Sequence, residues 1–208
     1  MEEHASSERR AEMGPRYGIH ADHALGVAMA DMKRIGARFD RSHQLAEELW
    51  STQVYEARIV ASMLDEPARV TRAQMDRWCA DFDNWAICDT VCFNLFDRAP
   101  DAWTRLAPWS ARPELYVKRA AFALLWSLAL HDRTADDERF VAALELAERE
   151  ATDDRPLVTK GIRMAIKAVG RRSPGLRDAA RASAARLADL ESRPARSIGR
   201  ATLRELSG

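Results

Sequence analysis

The segment DFDNWAICDTVCFNLF, residues 81–96, places a tryptophan and an aspartate four residues apart, Trp85 and Asp89, in a stretch otherwise apolar enough to be a buried helix. At that spacing the two side chains lie on one helical face, one above the other. A lone carboxylate in an apolar core is costly, so Asp89 is either neutralised by a neighbour or faces a cleft where its charge is used. In a cleft the pair suits positive charge. A fixed carboxylate attracts a cation electrostatically, and an electron-rich indole does so through its π face. Two later segments also set charge beside apolar bulk. In ELYVKRAAFALLWSLALHD, Arg119, Phe122 and Trp126 follow helical spacing, and in PLVTKGIRMAIKAVGRR, Lys160, Met164 and Lys167 share a stripe.

The elements that must position these residues read as helices. Apolar residues recur at spacings of three and four, and neither an alternating β-branched run nor an Asn-Gly or Asp-Gly hairpin turn is found. The pattern predicts helices near 24–38, 42–50, 53–64, 71–82, 84–96, 100–108, 113–131, 136–149, 156–171, 174–191 and 194–206. Breaks fall at DEPARVT, DRAP, ARPE, DDRP and RRSPG, where proline near a first turn and Asp, Ser or Thr at a cap are start signals. Short antiparallel helices joined by tight turns have the size of HEAT-type units, with a period of roughly 40 residues. The expected fold is therefore all-α: a curved, right-handed array of antiparallel helix pairs, an α-α superhelix, with a concave basic groove. A closed bundle of about ten helices is the competing architecture. Residues 1–16 read as a disordered or loosely ordered tail, and 17–208 as a single helical-repeat domain.

Composition bounds the function. The 208 residues are 47% hydrophobic and 31% charged, as in ordinary globular proteins. No apolar run approaches the ~18 residues of a membrane span, and the polar, mixed-charge N-terminus is not a signal or transit peptide. Three cysteines, Cys79, Cys88 and Cys92, on helical segments read as reduced thiols, and a cytoplasmic protein is expected. The formal net charge of zero conceals polarity. From Arg155 onward there are 13 Lys/Arg against 4 Asp/Glu, a net of +9, which leaves −9 on the preceding 154 residues. A basic C-terminal third suits a polyanionic partner; arginine-rich solvated helix faces are the other account of it.

LWSTQVYEARIVASMLDEP, DFDNWAICDTVC, YVKRAAFALLWSLALHD and LVTKGIRMAIKAVGRR together resemble the successive helices of the AlkD-like bacterial DNA alkylation repair proteins, HEAT-like repeat DNA glycosylases. The resemblance runs from about Tyr17 to the C-terminal end. Its most specific part is the Trp-x-x-x-Asp of the central helix, followed about thirty residues later by the Lys-Arg-Ala helix. It implies that Trp85 and Asp89 are the family's first Trp and its catalytic Asp, and that Arg119 is the supporting Arg. The family's second Trp is replaced here by Met164, whose thioether offers no π face.

What the resemblance implies is hydrolysis of the N-glycosidic bond of cationic N3- or N7-alkylated purines in double-stranded DNA. An alkylated purine that already carries positive charge needs no general acid to leave. As the bond stretches, positive charge grows on the sugar, as in other oxocarbenium-like cleavages. A carboxylate about 4 Å away, at an effective dielectric near 20, contributes on the order of 4 kcal/mol, a factor of roughly a thousand in rate. Arg119 would hold a backbone phosphate. Lys118, Lys160, Arg163, Met164, Lys167, Arg171 and Arg172 form the expected DNA-binding set, whose cations supply salt-dependent affinity. By the same resemblance, a nucleoid-associated monomer is expected that handles the lesion without inserting the base into a deep pocket, unlike base-flipping enzymes.

The structural alternatives sit beside each of these. Asp89 and Arg119 could form a buried inter-helix salt bridge, and Trp126 reads as core. Trp50, Trp78, Trp103 and Trp109 read as packing or helix-end residues, and His20 and His23 as solvated loop residues. Cys88 and Cys92 lack a second ligand pair at zinc-type spacing, so no metal is expected. No cofactor motif, Gly-rich phosphate loop, Gly-x-Ser-x-Gly or His-Glu-x-x-His is present. The alternative function is a catalytically weak or inactive HEAT-like scaffold for DNA or protein.

Overall fold

The structure, a computed structural model, describes residues 1–207. Among them the regular elements are all helical, with no strand. The chain divides into two compact units, Met1–Pro100 and Asp101–Gly208, where a single domain over 17–208 is expected from the sequence. The first unit holds α1 (Ser7–Tyr17), α2 (Met29–Gly36), α3 (His43–Ser51), α4 (Tyr55–Leu64), α5 (Arg72–Ala80) and α6 (Trp85–Asn94). The second holds α7 (Leu106–Ser110), α8 (Leu115–His131), α9 (Asp137–Arg149), α10 (Pro156–Gly170), α11 (Pro174–Asp189) and α12 (Arg193–Glu205).

Local chemistry starts six of these helices near the positions expected from the pattern, whereas the helices expected from 24 and 100 begin at Met29 and Leu106. Ser42, Thr71, Asn84, Asp136, Ser173 and Ser192 each accept a first-turn amide through the side chain. Proline opens α10, α11 and α12, where its missing N–H costs nothing.

The expected N-terminal tail carries a short 3-10 turn at Glu2–His4 and then α1. Ser6 caps that helix, and Gly18 ends it at φ +62°, with its amide on Gly14 and the Ile19 amide on Met13. What orders it is long-range. The Ser6 amide donates to the Leu25 carbonyl at 3.0 Å, and Arg10 donates to the Asp22 carbonyl at 3.1 Å. Gly26 is needed there for two reasons. Its φ is +76°, and a Cβ would stand 2.1 Å from the Ser6 carbonyl oxygen.

In the first unit, α4 packs chiefly on α3, and also on α2 and α6. It is buried almost all round, which suits its apolar composition. Its Glu56, fully buried, accepts the amides of Leu25, Gly26 and Val27 at 2.9, 2.7 and 3.2 Å and so pins the loop that carries α1. Trp50 and Trp78 stack 4.0 Å apart in the core, with Phe82 and Phe96 around them.

In the second unit, α8, α10 and α12 pack in sequence side by side, while α9 and α11 pack on each other as a second layer. α10 and α8 approach closely at Gly161, where a Cβ would lie 3.5 Å from Phe122. From Arg119 to Ala129 α8 is buried on every side except at Trp126. That tryptophan, expected in the core, is half-buried.

Candidate functional site

In the first unit the site begins at Asn84. Its side chain accepts the amides of Ala86 and Ile87 at 3.1 and 3.0 Å and starts α6 with Trp85 as the first helical residue. One face of α6, with Ile87, Cys88, Val91 and Cys92, is buried. An adjoining stripe at i, i+4, i+8 carries Trp85, Asp89 and Phe93, all half-buried. The helix turns its sulfur atoms inward and its indole and carboxylate to the side with access to solvent. Burial pushes the Cys92 thiol well above its ordinary range, helped by the hydrogen bond with Cys88 and by the charges of Cys88, Cys79 and Asp89. All three cysteines are buried.

The Trp85 indole N–H donates to the Tyr17 carbonyl at 3.0 Å. The end of α1 is thereby tied to the first aromatic of the site, and the exposed Tyr17 ring, with the Arg16 guanidinium 5.2 Å from its centroid, lies at that end. Phe93 is one turn beyond Asp89, and helical periodicity alone would have found it. No sequence signal joins Tyr17 to Trp85 across 68 residues.

The remaining candidates lie in the second unit, and they do not share one role. Arg119 is only 3% exposed and donates to the Leu157 carbonyl, clamping α8 to the first turn of α10. Lys118 sits between two carboxylates, Glu150 at 2.8 Å and Asp153 at 3.4 Å, with its side chain 13% exposed. Lys167 pairs with Glu205 at 2.8 Å. Arg172 donates to the Ala129 and Ala135 carbonyls, and its guanidinium lies 4.4 Å from the Phe140 ring centroid. Lys118, Lys167 and Arg172 thus hold elements together. Lys160 and Arg171 are exposed, and Arg163 and Met164 are half-buried on α10.

The Lys118 cluster makes the second unit acid-sensitive. The Arg155 guanidinium, hydrogen-bonded to Asp153 at 2.6 Å, holds that carboxyl down at about 2, against an opposing push from burial and with further help from Lys118. A carboxyl depressed in the folded state contributes stability above its unfolded pKa, near 3.9, and loses that contribution as pH falls towards its folded value. The stability of the protein is therefore expected to drop between about pH 4 and pH 2 through this group, and Asp153→Asn to flatten that part of a urea-midpoint-against-pH curve. A curve of unchanged steepness would mean that Asp153 carries no such linkage.

Among the described residues no cluster of three His, Cys, Asp or Glu could hold a metal, and no helix is long and apolar enough to cross a membrane. A family model described as DNA alkylation repair enzyme matches residues 1–197. No curated protein matches the sequence. A solved structure, described as a new family of proteins related to the HEAT-like repeat DNA glycosylases with affinity for branched DNA structures, superposes with a TM-score of 0.77. It is 18% identical and covers 98% of this chain and 91% of its own.

Proposed function

The chain belongs to the DNA alkylation repair enzyme family, and from that premise we propose that it is a monofunctional DNA glycosylase releasing cationic N3- or N7-alkylated purines from duplex DNA. The observation that carries this reading is the α6 stripe. Trp85 and Asp89 share one stripe of the helix at the edge of its buried face, and both are half-buried, so an indole and a carboxylate have access to solvent together. Asp89 stabilises the positive charge that develops on deoxyribose, and Trp85 attracts the cationic nucleotide through its ring face. Arg119 acts as the supporting arginine, and Lys160, Arg163 and Arg171 carry the electrostatic share of DNA affinity. Action as a monomer on DNA in the cytoplasm is part of this proposal. The test is release of 7-methylguanine from methylated duplex DNA by the purified protein. Slow but real release is expected, and none at all would end the enzymatic reading.

A second reading has its own observation: Met164 stands where the family resemblance places a second Trp. A scaffold that binds DNA, branched DNA included, and has lost the reaction would tolerate that change; affinity for branched DNA is what the superposed structure's family is described as having. Met164→Trp separates the two. Restoring a π face is expected to raise the release rate or the affinity for methylated duplex by roughly threefold to tenfold. No change in either would place residue 164 outside the site.

A further inference from the structure

The N-terminal halves of α10 and α12 line an open cavity of about 710 Å³ within the second unit. On α10 it is lined by Pro156, Thr159, Lys160 and Arg163, the i, i+3, i+4, i+7 positions of one helical face. Arg193 and Ser197 face it from α12. Three cationic side chains converge on the space, against a single carboxylate, Asp154.

Two further features ask for an anion. Both helices point their positive ends here, and the cap residue of α10, Arg155, gives no side-chain cap. The second is independent of the helix ends: Arg163 Nε is buried and has no hydrogen-bond acceptor. Buried donors are almost always satisfied, so this one is left for an acceptor that enters the cavity. The Thr159 hydroxyl already donates to the Asp153 and Arg155 carbonyls, so the donors that answer an entering anion are the guanidinium groups and the Ser197 hydroxyl, with the Lys160 ammonium adding charge.

The lining also says what enters. It holds no aromatic ring for a base to stack on and no asparagine or glutamine to pair with an adenine edge among the described residues, and its cations suit a backbone phosphate. Pro194 and Ile198 supply a small apolar wall of the kind a sugar rests against. We propose that this cavity is a phosphate-binding cleft that takes a backbone phosphodiester of DNA, with its deoxyribose against Pro194 and Ile198, and so anchors DNA to the second unit without regard to sequence or lesion. The proposal rests on the DNA-binding reading above and extends it to Arg193 and Ser197, neither of which belongs to the DNA-binding set expected from the sequence.

The test is fluorescence anisotropy of a labelled, undamaged duplex over a salt series. Arg163→Gln combined with Arg193→Gln is expected to weaken binding at least about tenfold and to make the log Kd against log salt line shallower by roughly two, one for each lost phosphate contact. Ser197→Glu, an exposed position whose change does not threaten folding, sets a carboxylate at the cleft and is expected to weaken binding by a similar factor. Arg177→Gln, exposed on α11 and outside the cleft, is expected to stay within about twofold. Inorganic phosphate, compared with chloride at equal ionic strength, is expected to displace DNA from the wild type more effectively than from the double variant. An unchanged salt slope in the double variant together with unchanged affinity in Ser197→Glu overturns the cleft while leaving DNA binding in place. Phosphate competition of equal strength in both proteins puts the phosphate elsewhere and overturns it as well. A wild type that binds no DNA ends the DNA-binding reading itself, and the cleft as a DNA site with it.

Discussion

Replacing Asp89 by asparagine is expected to slow release of 7-methylguanine from methylated duplex DNA roughly a hundredfold, with DNA affinity moved by less than about threefold. The two side chains have nearly the same shape, so the change removes charge and little else. A full negative charge near a forming sugar cation is worth on the order of 4 kcal/mol at an effective dielectric near 20. An amide dipole retains part of that, so the expected loss is smaller than the roughly thousandfold that the full term converts to. Position favours the carboxylate for this use. Asp89 is half-buried on the stripe between Trp85 and Phe93, and its charge is felt at the buried Cys92 thiol three residues on. Single-turnover rates at saturating protein separate chemistry from binding. Equal rates for the two proteins would remove Asp89 from the mechanism. A large loss of affinity at an unchanged saturating rate would make it a binding residue instead.

The largest effect on stability is expected at Glu56. Glu56→Ala should lower the free energy of unfolding by roughly 3–5 kcal/mol, read as a shift of the urea midpoint. The carboxylate is fully buried and accepts three consecutive amides, those of Leu25, Gly26 and Val27. Truncation leaves three donors without the acceptor that holds them, and each buried, unsatisfied group costs about 1–3 kcal/mol. The consequence reaches the site. The same loop holds α1 through the Leu25 carbonyl and the close approach of Gly26 to Ser6, and α1 ends at the Tyr17 carbonyl that accepts the Trp85 indole. Limited proteolysis of the variant should therefore cut first between α1 and α2. Glu56→Gln, which keeps one carbonyl acceptor, should fall between the wild type and Glu56→Ala. An unshifted midpoint for Glu56→Ala would show that the loop is held by other means.

The division between what could be read from the chain and what could not follows the range of the interactions. The α6 stripe was legible because Trp85 and Asp89 are one turn apart and helical geometry is local. The same holds for the starts of α3, α5, α6, α9, α11 and α12, where a side chain three residues or fewer away satisfies the first free amides. The burial of Trp50, Trp78 and Trp109 and the loop placement of His20 and His23 followed from apolar periodicity and its interruption.

Tertiary structure decided the rest. α1 is polar and contains Pro15, so despite its Ser6 cap and Gly18 end no apolar stripe marks it as part of the fold; its order comes from Leu25, Asp22 and Trp85. Lys118, Lys167 and Arg172 have the same local pattern as Lys160 and Arg171. What gives the first three their structural work is Glu150, Glu205 or the carbonyl-ended turn after α8 beside them in space, which local sequence does not show. The cleft at Arg163 and Arg193 likewise joins helices that periodicity treats one at a time. Helical propensity, capping and amphipathic spacing act within a turn or two of chain. Charge pairing and cavity walls depend on which turns the folded chain brings side by side, and no window of sequence contains that information.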